Sequence, residues 1–97
     1  MWTVLLHPLV LSEDLKRLDP PVSKQIVQTL RKRLSADPKS YGHPLGDEFA
    51  GLWRLRVGDY RVVYRILQDR VEVLVLKIGA QRDFEVYRKL VERLKRI

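Results

Sequence analysis

Residues 53–66, with the sequence WRLRVGDYRVVYRI, constrain the fold of this chain more than any other segment. Two runs of apolar, aromatic and basic residues flank Gly58 and Asp59. Glycine at the first central position of a two-residue loop is typical of a type II′ turn, which joins antiparallel strands. If Val57 pairs with Tyr60, the register of both strands follows. The segment therefore predicts a β-hairpin whose two faces differ in chemistry.

The predicted register divides the hairpin into a charged face and an apolar face. The charged face, called the arginine face below, carries Arg54, Arg56, Arg61 and Arg65. The apolar face carries Trp53, Leu55, Val57, Tyr60, Val62 and Tyr64. Arg56 and Arg61 lie directly opposite each other, and like charges at such positions destabilise a sheet. We therefore expect an anion between them, and phosphate is favoured because its geometry matches the guanidinium fork.

Positive charge is concentrated in the half of the chain that begins with these arginines. The formal net charge is +7, and residues 1–53 carry seven Lys and Arg against six Asp and Glu, whereas residues 54–97 carry twelve against six. Such an asymmetry favours a nucleic acid or another polyanion as partner. Solubility, or the Lys, Arg and Glu enrichment of thermophilic proteins, is an alternative explanation. The arrangement of arginines on one face favours nucleic acid.

Other features of the sequence argue against several kinds of site. The chain has no Cys, which excludes disulfides and thiolate metal ligands and fits a reducing cytoplasm. The two histidines, His7 and His43, are far apart, so no metal or small-molecule cofactor is expected. No apolar run reaches the length of a membrane span, and no basic region precedes the short apolar N-terminal run. We therefore expect a cytoplasmic protein that does not contact a membrane.

Hydrophobic spacing predicts a single domain over residues 1–97, with elements in the order β-α-α-β-β-β-α. The predicted strands cover residues 2–6, 52–57, 60–66 and 71–78, and the helices begin near residues 8, 20 and 82. This is a compact α+β domain with a mostly antiparallel four-stranded sheet, two N-terminal helices and a C-terminal helix. The last strand is apolar on both faces except at Glu72 and Lys77, so it should be central in the sheet. Residues 38–51 should form a loop whose length, roughly fourteen residues, suggests a functional role.

Continuing the strand pairing across the second turn gives one more expectation. It places Leu74, Leu76 and Ile78 on the arginine face. An apolar strip of this kind should not remain exposed. Either the C-terminal helix or a partner should cover it.

The central part of the chain closely resembles the signature of the RelE/ParE toxin family, and more specifically its RelE branch. The residues that carry the resemblance are Pro44 and Leu45 together with GLWRLRVGDYRVVY at positions 51–64. The likeness extends over nearly the whole chain, including HPL at positions 7–9 and LKRLDP at positions 15–20. It implies a RelE-like fold and a toxin of a type II toxin–antitoxin system. Such toxins cleave mRNA in the decoding site of the 70S ribosome, close to rRNA, and are neutralised by a RelB-like antitoxin.

The resemblance also implies which residues act. Four positions match the family's catalytic residues: Arg54, Arg56, Arg61 and Tyr87. The family's basic residue after the glycine that ends the last strand falls on Gln81, so the neighbouring Arg82 is a substitute with an expected catalytic role. We expect Arg65, Gln81 and His43 to bind substrate.

Cleavage by attack of the RNA 2′-OH on the adjacent phosphorus needs a base, a stabiliser of the developing charge and a proton donor for the leaving oxygen. Arginine suits the second role, but a pKa above about 12 makes it a poor base. The candidate bases are Tyr87, Glu85 and His43. None of the three clearly points at the arginine face from the sequence alone, so we expect ribosomal RNA or water to take the proton.

Three other functions fit the sequence. The first is a ParE-type gyrase inhibitor, which does not depend on Arg54 and Arg56. The second is a toxin homologue that binds RNA or ribosomes but cleaves weakly, as Gln81 and the missing base suggest. The third is a basic RNA-binding domain without toxicity.

Overall fold

One five-stranded sheet organises the fold of the residues that this computed structural model describes, which are 1–80 and 85–96, without the side chains of 85, 86 and 96. The strands are β1 (Thr3–Leu6), β2 (His43–Pro44), β3 (Leu52–Val57), β4 (Tyr60–Leu67) and β5 (Glu72–Ala80). The helices are α1 (Pro20–Ala36), α2 (Pro38–Tyr41) and α3 (Glu85–Arg96). The strand order is β1-β5-β4-β3-β2; β1 runs parallel to β5, and the other neighbours are antiparallel. The predicted α+β class and the central position of the last strand are confirmed.

The predicted four-stranded sheet lacked one strand, β2, which lies inside the segment expected to be a loop. His43 pairs with Arg54 and Pro44 with Trp53, along the edge of β3. The Leu45 N–H donates to the Leu52 carbonyl at 2.8 Å, which closes the connection back to β3. Two residues are too few to produce an alternating pattern, so the sequence gave no strand signal here.

The N-terminal helical segment has the predicted place but not the predicted regularity. Val10–Asp14 forms a π-helical turn, in which the Leu15 N–H bonds to the Val10 carbonyl, and Leu15–Arg17 continues as a 3₁₀ turn. The wider turn changes the direction in which Asp14 points relative to a regular helix. Asp14 is buried, and its carboxylate accepts hydrogen bonds from Arg93 of α3.

The β3–β4 hairpin has the predicted register. Val57 pairs with Tyr60, and Arg56 lies opposite Arg61. Gly58 has a φ of 57°, as the first central residue of a type II′ turn requires. The turn and the burial of the apolar face together fix which side chains face the same way.

An irregularity in the β4–β5 pairing makes one sequence prediction wrong. Val63 pairs with Lys77, but the next pair is Tyr64 with Val75, so Leu76 is an extra residue on β5. A bulge of this kind reverses the alternation of side chains beyond it. Leu74 and Leu76 lie on the arginine face as predicted, whereas Ile78 faces the opposite side of the sheet.

Helices cover both faces of the sheet. On the apolar face, α1 buries Ile26, Leu30 and Leu34 against side chains of β3, β4 and β5. On the arginine face, α3 buries Leu90 against residues that include Val63 and Leu76. The C-terminal helix therefore covers the part of the predicted apolar strip that lies on this face.

Tyr64 anchors the connection between α2 and β2. Its side chain is fully buried, and its hydroxyl donates to the Pro38 carbonyl at 2.6 Å. Burial raises the pKa of this hydroxyl, and the negative charge of Asp37 adds to the effect, so the hydroxyl stays protonated as a donor. A Cβ at Gly42 would collide with the Tyr64 hydroxyl, so only glycine allows this close approach. The contact holds the start of β2 against β3.

We predict that Gly42→Ala lowers the free energy of unfolding by about 1–3 kcal/mol, as expected for an added methyl group in a packed site. Gly46→Ala is the matched control, because a Cβ at Gly46 meets nothing within 4 Å. The control should keep or slightly raise the stability. Urea denaturation of both variants gives the two values, and equal stabilities would show that the Tyr64 contact does not limit position 42.

Candidate active site

Arg56 and Arg61 form the centre of the candidate site. Because Val57 and Tyr60 close the turn, the Arg56–Arg61 pair is the next pair along the ladder, where the side chains approach most closely. Opposed Cα atoms at such positions are about 4.5 Å apart. Arg56 is exposed and Arg61 is half-buried. The hairpin therefore keeps two guanidinium groups side by side at the surface.

Two further basic side chains extend this pair across the sheet. Arg54 lies two residues before Arg56 on the same face, and His43 of β2 lies directly opposite Arg54. His43 is exposed. We call His43, Arg54, Arg56 and Arg61 the basic cluster. Arg56 and Arg61 lie beyond Val63, toward the turn, whereas Arg54 lies directly opposite Val63, which packs against α3.

The first described turn of α3 brings Tyr87 to the basic cluster. The Arg61 guanidinium carbon lies 5.7 Å from the centre of the Tyr87 ring, within range of a cation–π interaction. On another side, the Tyr87 ring centre is 5.5 Å from that of Phe49, with the rings tilted at 45°. The fold therefore brings Tyr87, which the resemblance matched to a catalytic position, next to Arg61. Phe49 was not predicted as a neighbour; its only signal was an aromatic residue within a loop rich in Gly and Pro.

Arg54 and Arg61 differ from the buried Arg93 in their charge partners. In the described part of the chain, no carboxylate pairs with Arg54 or Arg61, whereas Arg93 pairs with both Asp14 and Glu13. Arg61 Nε is buried and has no hydrogen-bond partner among the described residues. A buried donor without a partner costs about 1–3 kcal/mol and calls for an explanation. An anion bound at the cluster would supply both the missing charge and the missing acceptor.

Arg65, Gln81 and Arg82 are the remaining predicted site residues. Arg65 shares the arginine face, but it pairs with Leu52 and Leu74 and lies four residues along β4 from Arg61, a separation of about 13 Å. The structure therefore does not bring Arg65 into the basic cluster. Gln81 and Arg82 lie outside the described residues, as does the side chain of Glu85. Their predicted roles stay predictions.

Among residues 1–80 and 85–96, no group of three or more His, Cys, Asp or Glu side chains is arranged to hold a metal ion. No helix in these ranges is both long and apolar enough to cross a membrane.

Comparison with known proteins decides the family. Residues 4–83 match the family model described as the ParE toxin of the type II toxin–antitoxin system parDE. Toxin RelG of Mycobacterium tuberculosis is 34% identical over 76 residues, which cover 78% of this chain and 85% of that protein. The chain belongs to the RelE/ParE toxin superfamily. It is a RelE-family toxin of a type II toxin–antitoxin system, as its central sequence predicted.

Two further proteins are similar to this RelE-family toxin. The toxin–antitoxin complex RelBE2 of Mycobacterium tuberculosis contains a chain with a TM-score of 0.76 and 32% identity, covering 81% of this chain and 96% of that one. This match supports the RelE-like fold. The mRNA interferase toxin RelE of Escherichia coli is 37% identical over 41 residues, which cover 42% of this chain and 43% of that protein.

Proposed function

We propose that this RelE-family toxin is a ribosome-dependent endoribonuclease that acts in the cytoplasm, and that its basic cluster binds the scissile phosphate of mRNA. The observation that carries the proposal is the pairing of Arg56 with Arg61, two like charges held opposite each other beside Tyr87. Like charges held directly opposite each other destabilise a sheet, and a bound anion would offset that cost. The name of the Escherichia coli relative, an mRNA interferase, supports RNA as the source of that anion.

The proposed reaction is an internal transfer at phosphorus. The 2′-OH of one nucleotide loses its proton and attacks the adjacent phosphorus, and the bond to the 5′-oxygen of the next nucleotide breaks. The products are a 2′,3′-cyclic phosphate and a 5′-OH, which receives a proton. Negative charge grows on the non-bridging oxygens as the reaction proceeds. Arg56 and Arg61 stabilise that charge, because donors fixed in place before the reaction need no reorganisation during it.

We propose His43 as the base that takes the 2′-OH proton. The sequence alone favoured ribosomal RNA or water, because no candidate clearly pointed at the arginine face. The pairing of β2 with β3 changes this, since it places His43 directly opposite Arg54. An imidazole is able to accept a proton near neutral pH, whereas the guanidinium groups of Arg54, Arg56 and Arg61 are not.

Tyr87 has a different part in this proposal. Its ring packs against both Arg61 and Phe49, which limits the directions that the Arg61 side chain takes. We propose that Tyr87 orients Arg61 toward the phosphate and does not exchange a proton with the substrate. A role in the core alone would not account for the contact of Tyr87 with a charged side chain.

We also propose that a RelB-like antitoxin neutralises this toxin, as the solved complex of the Mycobacterium tuberculosis relative suggests. The net charge of +7 favours an acidic segment. A segment that orders on binding would offset its entropy loss through charge pairing and apolar burial. The surface that suits it is formed by α3 and the leucines of the arginine face, either over α3 or in its place.

We predict that Arg61→Ala slows cleavage of ribosome-bound mRNA by at least about 10²-fold, the usual effect of removing one donor to a developing negative charge. Its free energy of unfolding should fall by less than about 1 kcal/mol or rise, because the lost ring contact is offset by relief of the repulsion with Arg56. Arg70→Ala, at an exposed position in the turn before β5, is the charge-matched control and should cleave normally. The measurement is single-turnover cleavage of a defined message on purified ribosomes.

Two results would count against the proposed function, one from the cleavage experiment and one from a gyrase supercoiling assay. If Arg61→Ala is folded and cleaves as fast as the wild-type protein, the basic cluster is not the active site. If the wild-type protein leaves ribosome-bound message intact but inhibits DNA supercoiling by gyrase, the ParE-type function replaces the proposed one.

We predict a separate effect for His43→Ala, a loss of at least about 10²-fold in the single-turnover rate, as expected for removal of a general base. Tyr87→Phe, which keeps the ring over Arg61, should retain most of the activity. If His43→Ala cleaves at a near-normal rate, His43 is not the base, and ribosomal RNA or water takes the proton.

A further inference from the structure

A buried carboxylate joins three separate parts of the fold. The side chain of Asp14 is fully buried, and its two oxygens accept four hydrogen bonds. Oδ1 accepts from Lys77 Nζ at 2.7 Å and from Arg93 Nη2 at 2.8 Å. Oδ2 accepts from the Ile78 N–H and from Arg93 Nη1, both at 2.8 Å. The N-terminal segment, β5 and α3 therefore meet at one group.

This cluster occupies the edge of β5 where β1 stops. The last contact of the parallel pairing is the His7 N–H, which donates to the Val75 carbonyl at 2.9 Å. Past that point, the Ile78 N–H bonds to Asp14 and the Leu76 carbonyl accepts from Arg93 Nη1 at 2.9 Å. Arg93 thus bonds to Asp14 through both terminal nitrogens and to the backbone of the sheet as well. The guanidinium is fixed in direction as well as in position.

The apolar contacts of α3 with the sheet do not define the position of the helix as closely as the hydrogen bonds of Arg93 do. Leu90 and Leu94 pack against leucines and Val63, and apolar burial has no preferred direction. A small slide or rotation of α3 would preserve most of that burial but would break the paired hydrogen bonds of Arg93. Buried ion clusters add little stability over well-packed apolar residues, and in some proteins they serve to specify one arrangement. Tyr87 is six residues from Arg93 in the same helix, about 9 Å along its axis, so both move together.

We infer that Arg93 is a positioning residue of the active site: its paired bonds to Asp14 fix α3 on the sheet and so hold the Tyr87 ring over Arg61. This inference rests on the proposed function only where it concerns cleavage, since the arrangement of Tyr87 and Arg61 is observable without substrate. Lys77 completes the cluster by balancing Asp14. Burial lowers the pKa of Lys77, and its hydrogen bond to Asp14 opposes that change.

The test compares Arg93→Met with Lys95→Met, which removes the same charge from an exposed position two residues further along α3. An aromatic ring shifts the NMR signals of protons above its face, so the Arg61 Nε–H signal reports the Tyr87 contact. The Arg61 signal of Tyr87→Ala gives the reference value for a lost contact. We expect the Arg61 signal of Arg93→Met to move to that reference, and the signal of Lys95→Met to stay at the wild-type value.

The same variants are then tested for cleavage on ribosomes. Arg93→Met should lose at least about tenfold in the single-turnover rate, as a misplaced active-site group does, with unchanged affinity for the ribosome. Adding Tyr87→Ala to Arg93→Met should cause no further loss, because both changes act through the same contact. If Arg93 only stabilises the fold, Arg93→Met should lower the melting temperature of the protein without moving the Arg61 signal.

Each outcome bears on a different claim. A folded Arg93→Met protein with a wild-type Arg61 signal overturns the positioning role. Absence of cleavage by the wild-type protein contradicts the proposed function but leaves the NMR comparison valid. If Arg93→Met does not fold, the variant with Asp14→Leu, Lys77→Met and Arg93→Met has no buried charge left unpaired and is expected to fold. Its Arg61 signal must then match that of Tyr87→Ala for the inference to stand.

Discussion

The register of the β3–β4 hairpin decides which side chains share a face of the sheet, and so which of them meet α1 and which meet α3. Gly58 sets the turn, and burial of the apolar face against α1 prevents a shift by one residue, which would exchange the two faces. Once that register is fixed, Arg56 must lie opposite Arg61. The protein therefore carries a local repulsion as a direct consequence of its most specific fold signal. Violations of a local stability rule are expected at functional sites, which is why the Arg56–Arg61 pair is proposed to bind an anion.

The elements around the hairpin bring two more side chains to the basic cluster. β2 adds His43 opposite Arg54, and the Tyr64–Gly42 contact holds that strand in place. α3 adds Tyr87 over Arg61 and covers the leucines of the same face. The carboxylates of Asp14 and Glu13 lie in a separate buried cluster, where they pair with Lys77 and Arg93. Among the described residues, no carboxylate pairs with Arg54 or Arg61.

The sequence predicted those features that depend on short-range patterns. The hairpin pairing followed from a turn residue and strict alternation, and the RelE-like fold followed from a specific segment of the chain. Ile78 was assigned to the wrong face because alternation cannot reveal a bulge, and the extra residue, Leu76, has no distinctive chemistry. β2 was missed because two residues show no period, and with it the proximity of His43 to Arg54 was missed. The Asp14 cluster joins residues up to 79 positions apart, and its only trace in the sequence was Lys77, in a strand whose one other charged residue is Glu72.

If the basic cluster is an anion site built into the hairpin, an added anion should bind there, and NMR of the arginine Nε–H groups would detect it. The protein is titrated with inorganic pyrophosphate at low ionic strength, where screening is weak. We expect the Arg54, Arg56 and Arg61 signals to shift saturably, and the Arg65 and Arg70 signals to stay unchanged. Equal shifts of all these arginines, or no saturable shift at the cluster, would contradict this expectation.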